Sequence, residues 1–254
     1  PRIHREPSKM EGALTMRIVR ETPRTTTFIT RFFSLKGRKN TRGYRHRREF
    51  RIHALTIGSP IRPLPTKPDG YNLKVGQKFV RFYDPARGPW NEHRFYGPMP
   101  DMRFDHQIPP CRPTGSQSVW YASSSLIGAV AETFGRLGFV DKNSGKHVVF
   151  VEIMAPLNLI DLVGVAARSI GLTQEIAATT DYRTCQEWAR AFYEDYLHLQ
   201  GIRWRGRQTG SLCYVLHDRA AMANLAVASD NSISDLRVWP RIAKAARRCS
   251  LRVI

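Results

Sequence analysis

The sequence predicts an α+β fold, a compact mixed sheet with flanking helices. Short β-branched and aromatic runs such as HVVFVEIMA and LCYVL have strand character, while VWYASSSLIGAVAETFGRL and TTDYRTCQEWARAFYEDYLHLQG contain apolar residues at three- and four-residue spacing. These elements follow one another without strict βαβ alternation, which argues against a doubly wound parallel sheet. No internal repeat is present.

Residues 1–55 include TPRTTTFITRFF and RGYRHRREFR and lack a sustained apolar period, so they are expected to form a basic, weakly ordered arm. Residues 56–77 are dense in Pro and Gly and are expected to be a linker. The folded domain is placed at 78–220. It opens with a strand at FVRFYD (79–84), followed by two turn-rich loops (86–105 and 108–118) and a strand at VWYAS ending on the serines. Ser123, Ser124 and Ser125 are candidate N-caps for a helix whose apolar side is Leu126, Ile127, Val130, Phe134 and Leu137. A strand at 147–155 is separated by Pro156 from a short apolar element at 157–162. VGVAARSIGL predicts a short helix and 179–201 a longer one, with Trp188, Ala191, Phe192, Tyr196 and Leu199 inward and Gly201 as its stop. IRWRGRQTGSLCYVLHD predicts two strands around a glycine-containing turn. Residues 221–254 are set apart as a basic, partly amphipathic extension that caps the domain, meets a partner or has no role.

The chain has 254 residues, with 40 Lys+Arg against 21 Asp+Glu and a net charge of +19. Residues 1–55 hold 15 basic and 4 acidic residues, so more than half of the excess lies in about a fifth of the chain. That points to an appended basic segment, a nucleic-acid-binding arm or an organelle transit peptide. Pro1 as the first residue, with Met10 and Met16 downstream, leaves processing or truncation at the start open. Cys111, Cys185, Cys213 and Cys249 are scattered without a CxxC pair, which indicates neither zinc nor a disulfide framework and fits a reducing, cytoplasmic setting. No apolar run approaches the ~20 residues of a membrane helix. GxGxxG, Walker, HExxH and GxSxG motifs are missing, which removes several common enzyme classes.

The candidate site residues are separated in sequence. Glu132 falls mid-helix, on a side shared with Ser125, Gly128, Ala129, Gly135 and Arg136, four of them small. Interior glycines cost a helix roughly 1 kcal/mol each relative to alanine, so something must approach this face closely, either a ligand or another element of the protein. Pairing of Glu132 with Arg136 is the alternative use of the carboxylate. Arg81 and Arg103 offer planar five-donor forks suited to a diphosphate. Tyr121 at a strand end presents a face able to stack on a nicotinamide or adenine ring, or to pack in the core.

The succession RFYD, a loop ending in RFD, VWYASSSLIGAVAETF, HVVFVEIMAPLNLIDL, TTDYRTCQEWARAFYE and GIRWRGRQTGSLCYVLHDR resembles the RES-domain family over about residues 78–220. This family is named for Arg, Glu and Ser positions and comprises toxins of bacterial toxin–antitoxin pairs. The resemblance implies a fold similar to ADP-ribosyltransferase toxins and NAD+ as substrate, with no further cofactor. Its members hydrolyse or phosphorolyse NAD+, or transfer its ADP-ribose to a protein. It also implies an Xre-type helix-turn-helix antitoxin that blocks the site, and leaves a homo-oligomer open. Carried over, Glu132 matches the helix glutamate, Tyr121 the strand tyrosine, Arg103 the arginine of the arginine-aromatic motif, and Arg81 the basic residue near the domain start.

One position departs from the family. A serine usually precedes the arginine corresponding to Arg207, and here Gly206 stands there, with Ser211 the nearest following hydroxyl. Arg207 and Ser211 complete the expected NAD+-binding set. Two competing readings remain at this level: a nucleic-acid-binding protein acting through its arginine-rich arm, and an inactive RES-like domain that only engages its antitoxin.

Overall fold

The structure is a computed structural model, and it describes residues 57–65, 68, 70–92, 101–107, 117–164 and 166–254. The expected arm at 1–55 and Cys111 lie outside the described residues.

Ten strands, three α-helices and three short 3-10 helices are formed by the described residues, giving the α+β class that the sequence predicts. The strands and α-helices are β1 (Gly70–Leu73), β2 (Lys78–Tyr83), β3 (Val119–Ser123), α1 (Leu126–Phe134), β4 (Phe139–Val140), β5 (His147–Ile153), β6 (Leu157–Asp161), α2 (Tyr182–Asp195), β7 (Gly201–Arg205), β8 (Leu212–His217), β9 (Leu225–Ser232), α3 (Trp239–Arg248) and β10 (Arg252–Val253). Eight strands make one mixed sheet in the order β1-β6-β7-β8-β3-β2-β5-β9, antiparallel except between β6 and β7. The pair β4 and β10 forms a small parallel sheet.

Side-chain alternation along the strands divides the core. Phe79, Trp120, Tyr214 and Leu216 pack together in one cluster. The neighbouring residues point the other way and meet helices: Val215, Ile202 and Trp204 pack with Trp188 and Phe192 of α2, and Val80, Phe82 and Val148 pack with Phe134 of α1 and Ile242 of α3. β2 pairs with β5 over six positions but meets β3 at Val80↔Ser123 alone. The sheet therefore loosens between its α2-covered and its α1/α3-covered halves.

Three sequence expectations are corrected. Gly201 does not stop the long helix, which ends at Asp195; it begins β7, where a Cβ would lie 2.2 Å from the Val215 carbonyl oxygen. Close strand approach, not a helix cap, is what requires glycine there. The Pro/Gly-rich stretch is more than a linker: β1 borders the sheet against β6, and residues 57–65 lie along α2. There the Trp188 Nε1–H donates to the Gly58 carbonyl at 2.8 Å, the Tyr196 hydroxyl donates to the Pro65 carbonyl at 2.8 Å, and Arg62 pairs with Glu194 and Asp195. The sheet and core also run past residue 220, since β9 pairs with β5 and α3 buries Ile242, Ala243, Ala245 and Ala246. No helix among the described residues is long and apolar enough to cross a membrane.

Candidate active site

The helix carrying Glu132 starts where the serine run predicts. Ser125 has extended backbone, with φ −146° and ψ 151°, and its hydroxyl accepts from the Gly128 N–H at 3.1 Å. The same hydroxyl donates to Ser211 Oγ at 2.9 Å, tying the helix start to the β7–β8 turn. Burial of Ala129, Val130, Ala131 and Phe134 fixes the rotation of α1 and leaves Glu132 facing a cleft of about 1090 Å³.

The small-residue face of α1 is covered by protein. A Cβ on Gly128 would fall 2.2 Å from Ser123 Oγ and 2.6 Å from Ser211 Cβ, and one on Gly135 would fall 2.5 Å from Gln208 Nε2. Both glycines thus admit the β7–β8 turn, the second of the two uses the sequence allowed. Arg136 pairs with Asp101 at 3.5 Å and not with Glu132.

Glu132 is open to solvent on the cleft side, yet protein surrounds it elsewhere. This surrounding protein raises its pKa above 4.5, and the positive charge of Arg103 opposes the shift. Behind it lies Cys213, buried, its thiol pushed up to about 12 by burial and by the Glu132 charge. Gly206 is the other neighbour: a Cβ there would sit 2.7 Å from Glu132 Oε1 and 3.0 Å from Cys213 Sγ.

Arg103 sits on a short segment, 101–107, wedged between α2 and β3. Its Nη1 donates to the Thr179 carbonyl at 2.5 Å and the Ile176 carbonyl at 3.3 Å, and its guanidinium lies 4.7 Å from the Tyr182 ring centre. These carbonyls use Nη1 alone and orient the rest of the fork. Arg81 on β2 donates from Nη1 to the Tyr121 carbonyl at 3.3 Å and lies over the Trp120 ring at 5.2 Å.

Tyr121 is held at both sides of its oxygen: the hydroxyl donates to Asp105 Oδ1 at 2.9 Å and accepts from the Phe104 N–H at 3.1 Å. Its ring meets Trp204 edge-on at 6.1 Å. Asp105 is fully buried, and its other oxygen accepts from the N–H groups of Met102 at 2.8 Å and Asp101 at 3.1 Å. One carboxylate therefore joins the tyrosine to the arginine segment. The next residue, His106, stacks on Tyr193 of α2 at 4.1 Å, and burial together with His217, Arg219 and Arg190 lowers its pKa well below 6.5, so it anchors the segment as a neutral ring.

Sequence reasoning passed over Asp105, although it follows Arg103 and Phe104 directly in MRFD. Replacing it with alanine strands three donors, and each buried unsatisfied group costs about 1–3 kcal/mol. Asp105→Ala is expected to lose about 3 kcal/mol or more in urea unfolding, against about 2 kcal/mol for Tyr121→Phe, which removes the two hydrogen bonds of the hydroxyl. Equal losses would contradict the joining role of the carboxylate.

Glu132, Arg103, Arg81 and Tyr121 all line the one cleft, together with Tyr182, Trp204 and Gln208. Ser211 and Arg207 do not line it. Ser211 stands behind the helix start, bonded to Ser125. Arg207 is exposed beside a separate depression of about 310 Å³ that also includes Glu175, Arg205 and Gly206.

A family model described as the RES domain matches residues 77–239. A solved structure, described as the crystal structure of the M. tuberculosis MbcT-MbcA toxin-antitoxin complex, aligns at 16% identity with a TM-score of 0.47, covering 68% of this chain and 92% of that chain. No curated protein sequence matches the chain.

Proposed function

The chain belongs to the RES-domain family, and from that premise we propose that its cleft binds NAD+ and breaks the nicotinamide–ribose bond, as the toxin of a toxin–antitoxin pair restrained by an Xre-type helix-turn-helix antitoxin. What supports this reading most is the convergence of Glu132, Arg103, Arg81 and Tyr121, drawn from four separate segments, on a single cleft. Its volume of about 1090 Å³ suits an extended dinucleotide.

In this reading Arg103 holds the pyrophosphate. Its guanidinium, pinned through Nη1 to two backbone carbonyls, needs no reordering when an anion arrives. Arg81 adds positive charge from the facing strand. Tyr121 presents its ring to the nicotinamide side, with its hydroxyl already committed to Asp105 and Phe104, so its position is fixed.

Glu132, when ionised, accepts from the nicotinamide ribose and stabilises the positive charge that grows on the ribose as the C–N bond stretches. The nicotinamide leaves as a neutral group, so electrostatic stabilisation of an oxocarbenium-like state carries more of the work than acid catalysis. The acceptor of the ADP-ribose is water, phosphate or a protein nucleophile.

Binding is tested separately from chemistry with Glu132→Gln protein, which spares the dinucleotide during the measurement. At roughly ten times its dissociation constant, NAD+ is expected to raise the unfolding temperature by about 3–6 °C, and ADP-ribose to do nearly as well. Nicotinamide alone should give no comparable shift, and Arg103→Ala should abolish the effect of the dinucleotide. Absence of any shift with NAD+ or ADP-ribose overturns the binding part of the reading.

A further inference from the structure

The last helix of the domain has two unlike sides. Ile242, Ala243, Ala245 and Ala246 are buried against α1 and the sheet, while Arg241, Lys244, Arg247 and Arg248 are exposed, with exposed Arg252 just beyond the helix. After Asp235 the chain has six basic residues and no acidic one.

Elsewhere on the described surface several arginines have carboxylate partners: Arg62 with Glu194 and Asp195, Arg87 with Asp84, Arg136 with Asp101, Arg183 with Glu187, and Arg237 with Asp235. None of the five cations on the α3 side has such a partner among the described residues. Interaction with the helix dipole accounts for Arg247 and Arg248 in the last turn, where cations are favoured. It does not account for Arg241, whose guanidinium lies 5.6 Å from the Phe150 ring centre and keeps its charge exposed without an acidic partner among the described residues. That residue lies in the first turn, at the positive end, in a helix with no acidic residue in that turn and no side-chain cap. Lys142 adds a further cation at the same end, its ammonium 5.9 Å from the Trp239 ring centre.

We propose that the exposed face of α3, formed by Arg241, Lys244 and Arg248 with Arg247 and Arg252 beside them, is a docking surface for the phosphate backbone of a nucleic acid. The spacing suits it. Residues 241, 244 and 248 lie on one side of the helix over about 10 Å of its axis, close to three 3.4 Å rises of a duplex strand. The partner group is the phosphate backbone, which carries the same charge at every sequence, so affinity is expected to vary little with base sequence. The surface is built into the folded domain, on α3.

The test uses the full chain and a fluorescent duplex of about 20 base pairs, with anisotropy read across a salt series. The variant Arg241→Gln/Lys244→Gln/Arg248→Gln is expected to bind at least tenfold more weakly at about 0.1 M salt, with the slope of log affinity against log salt reduced by about 2–3. Its unfolding temperature and NAD+ consumption should match the parent. Lys244→Glu, a single change at an exposed position, serves if the triple variant fails to fold, and should weaken binding by itself. Unchanged affinity and slope in these variants overturn the proposal. So does equal or tighter binding of polyglutamate of matching charge by the parent, which would assign the surface to an acidic polypeptide.

Discussion

Glu132→Gln protein is expected to consume NAD+ at least a hundredfold more slowly than the parent while unfolding at the same temperature or slightly above it. Removal of one group that stabilises a developing charge commonly raises a barrier by ~3 kcal/mol, which is about two orders of magnitude in rate. The stability result has the opposite sign because the folded protein raises the pKa of Glu132 above 4.5. Such a group favours the fold most when protonated, below 4.5, and that contribution is lost as pH rises through the raised value. Once ionised, the carboxylate is disfavoured by the protein around it, and a neutral glutamine relieves that cost. Solvent reaches the group from the cleft, so the relief is small, about one or two degrees at most. The parent rate should also fall on the acid side through the raised pKa of Glu132, at a pH above 4.5, and the variant should lack that limb. A large loss of stability in Glu132→Gln would mean that the carboxylate supports the fold and not the chemistry.

Gly206→Ala is expected to lower kcat ten- to a hundredfold with KM for NAD+ changed less than about threefold. The room that a serine side chain would occupy at this position is filled by the Glu132 carboxylate, since a Cβ on residue 206 would stand 2.7 Å from Oε1. The backbone there has little freedom: the Gly206 N–H donates to the Ser211 carbonyl at 2.8 Å, and its own carbonyl accepts from the Gly210 N–H at 2.9 Å. Cys213, at 3.0 Å from the same point, is buried. The carboxylate, at the far end of a flexible side chain, is what yields, and a misplacement near 1 Å at a reacting centre can cost about a hundredfold. Gly206→Ser carries the same Cβ but adds a hydroxyl able to donate to the displaced carboxylate, so it should lose less than alanine. Steady-state kinetics on both variants, with Glu132→Gln/Gly206→Ala as the combined control, reads this directly. Full activity in Gly206→Ala would separate Gly206 from the positioning of Glu132.

The elements that were legible in the sequence are those whose local chemistry and burial agree. The Ser125 cap and the apolar spacing of α1 both point to one helix, and the β-branched run of β5 is a buried strand on either reading. β9 is not legible because LAVASDNS, half of it exposed along the edge of the sheet, shows no apolar alternation; its pairing with β5 comes from tertiary context. β1 escaped for the same reason, with only four residues at the opposite edge. Gly201 carried the signature of a helix stop, but what fixes it is a carbonyl from a strand fourteen residues away, which no local pattern encodes.

The site divides in the same manner. Glu132, Arg103, Arg81 and Tyr121 have chemistry suited to a cleft, and all four line one. The glycines at 128 and 135 imply close approach by a ligand or by another element of the protein, and the choice falls to Ser123, Ser211 and Gln208, a contact that depends on how the β7–β8 turn folds back. Asp105 was invisible because a lone acid in a loop gives no sign of burial; its role arises only when Tyr121 and the backbone of 101–102 converge on it.

Cleavage of NAD+ in this cleft is read from the mass of the products after the protein is incubated with NAD+, with and without phosphate, beside Glu132→Gln protein. Free nicotinamide is expected in equal amount to a second product, which is ADP-ribose, its phosphate adduct or ADP-ribose on protein, and almost none of either from the variant. Intact NAD+ with the parent, or the same nicotinamide yield from Glu132→Gln, would contradict it.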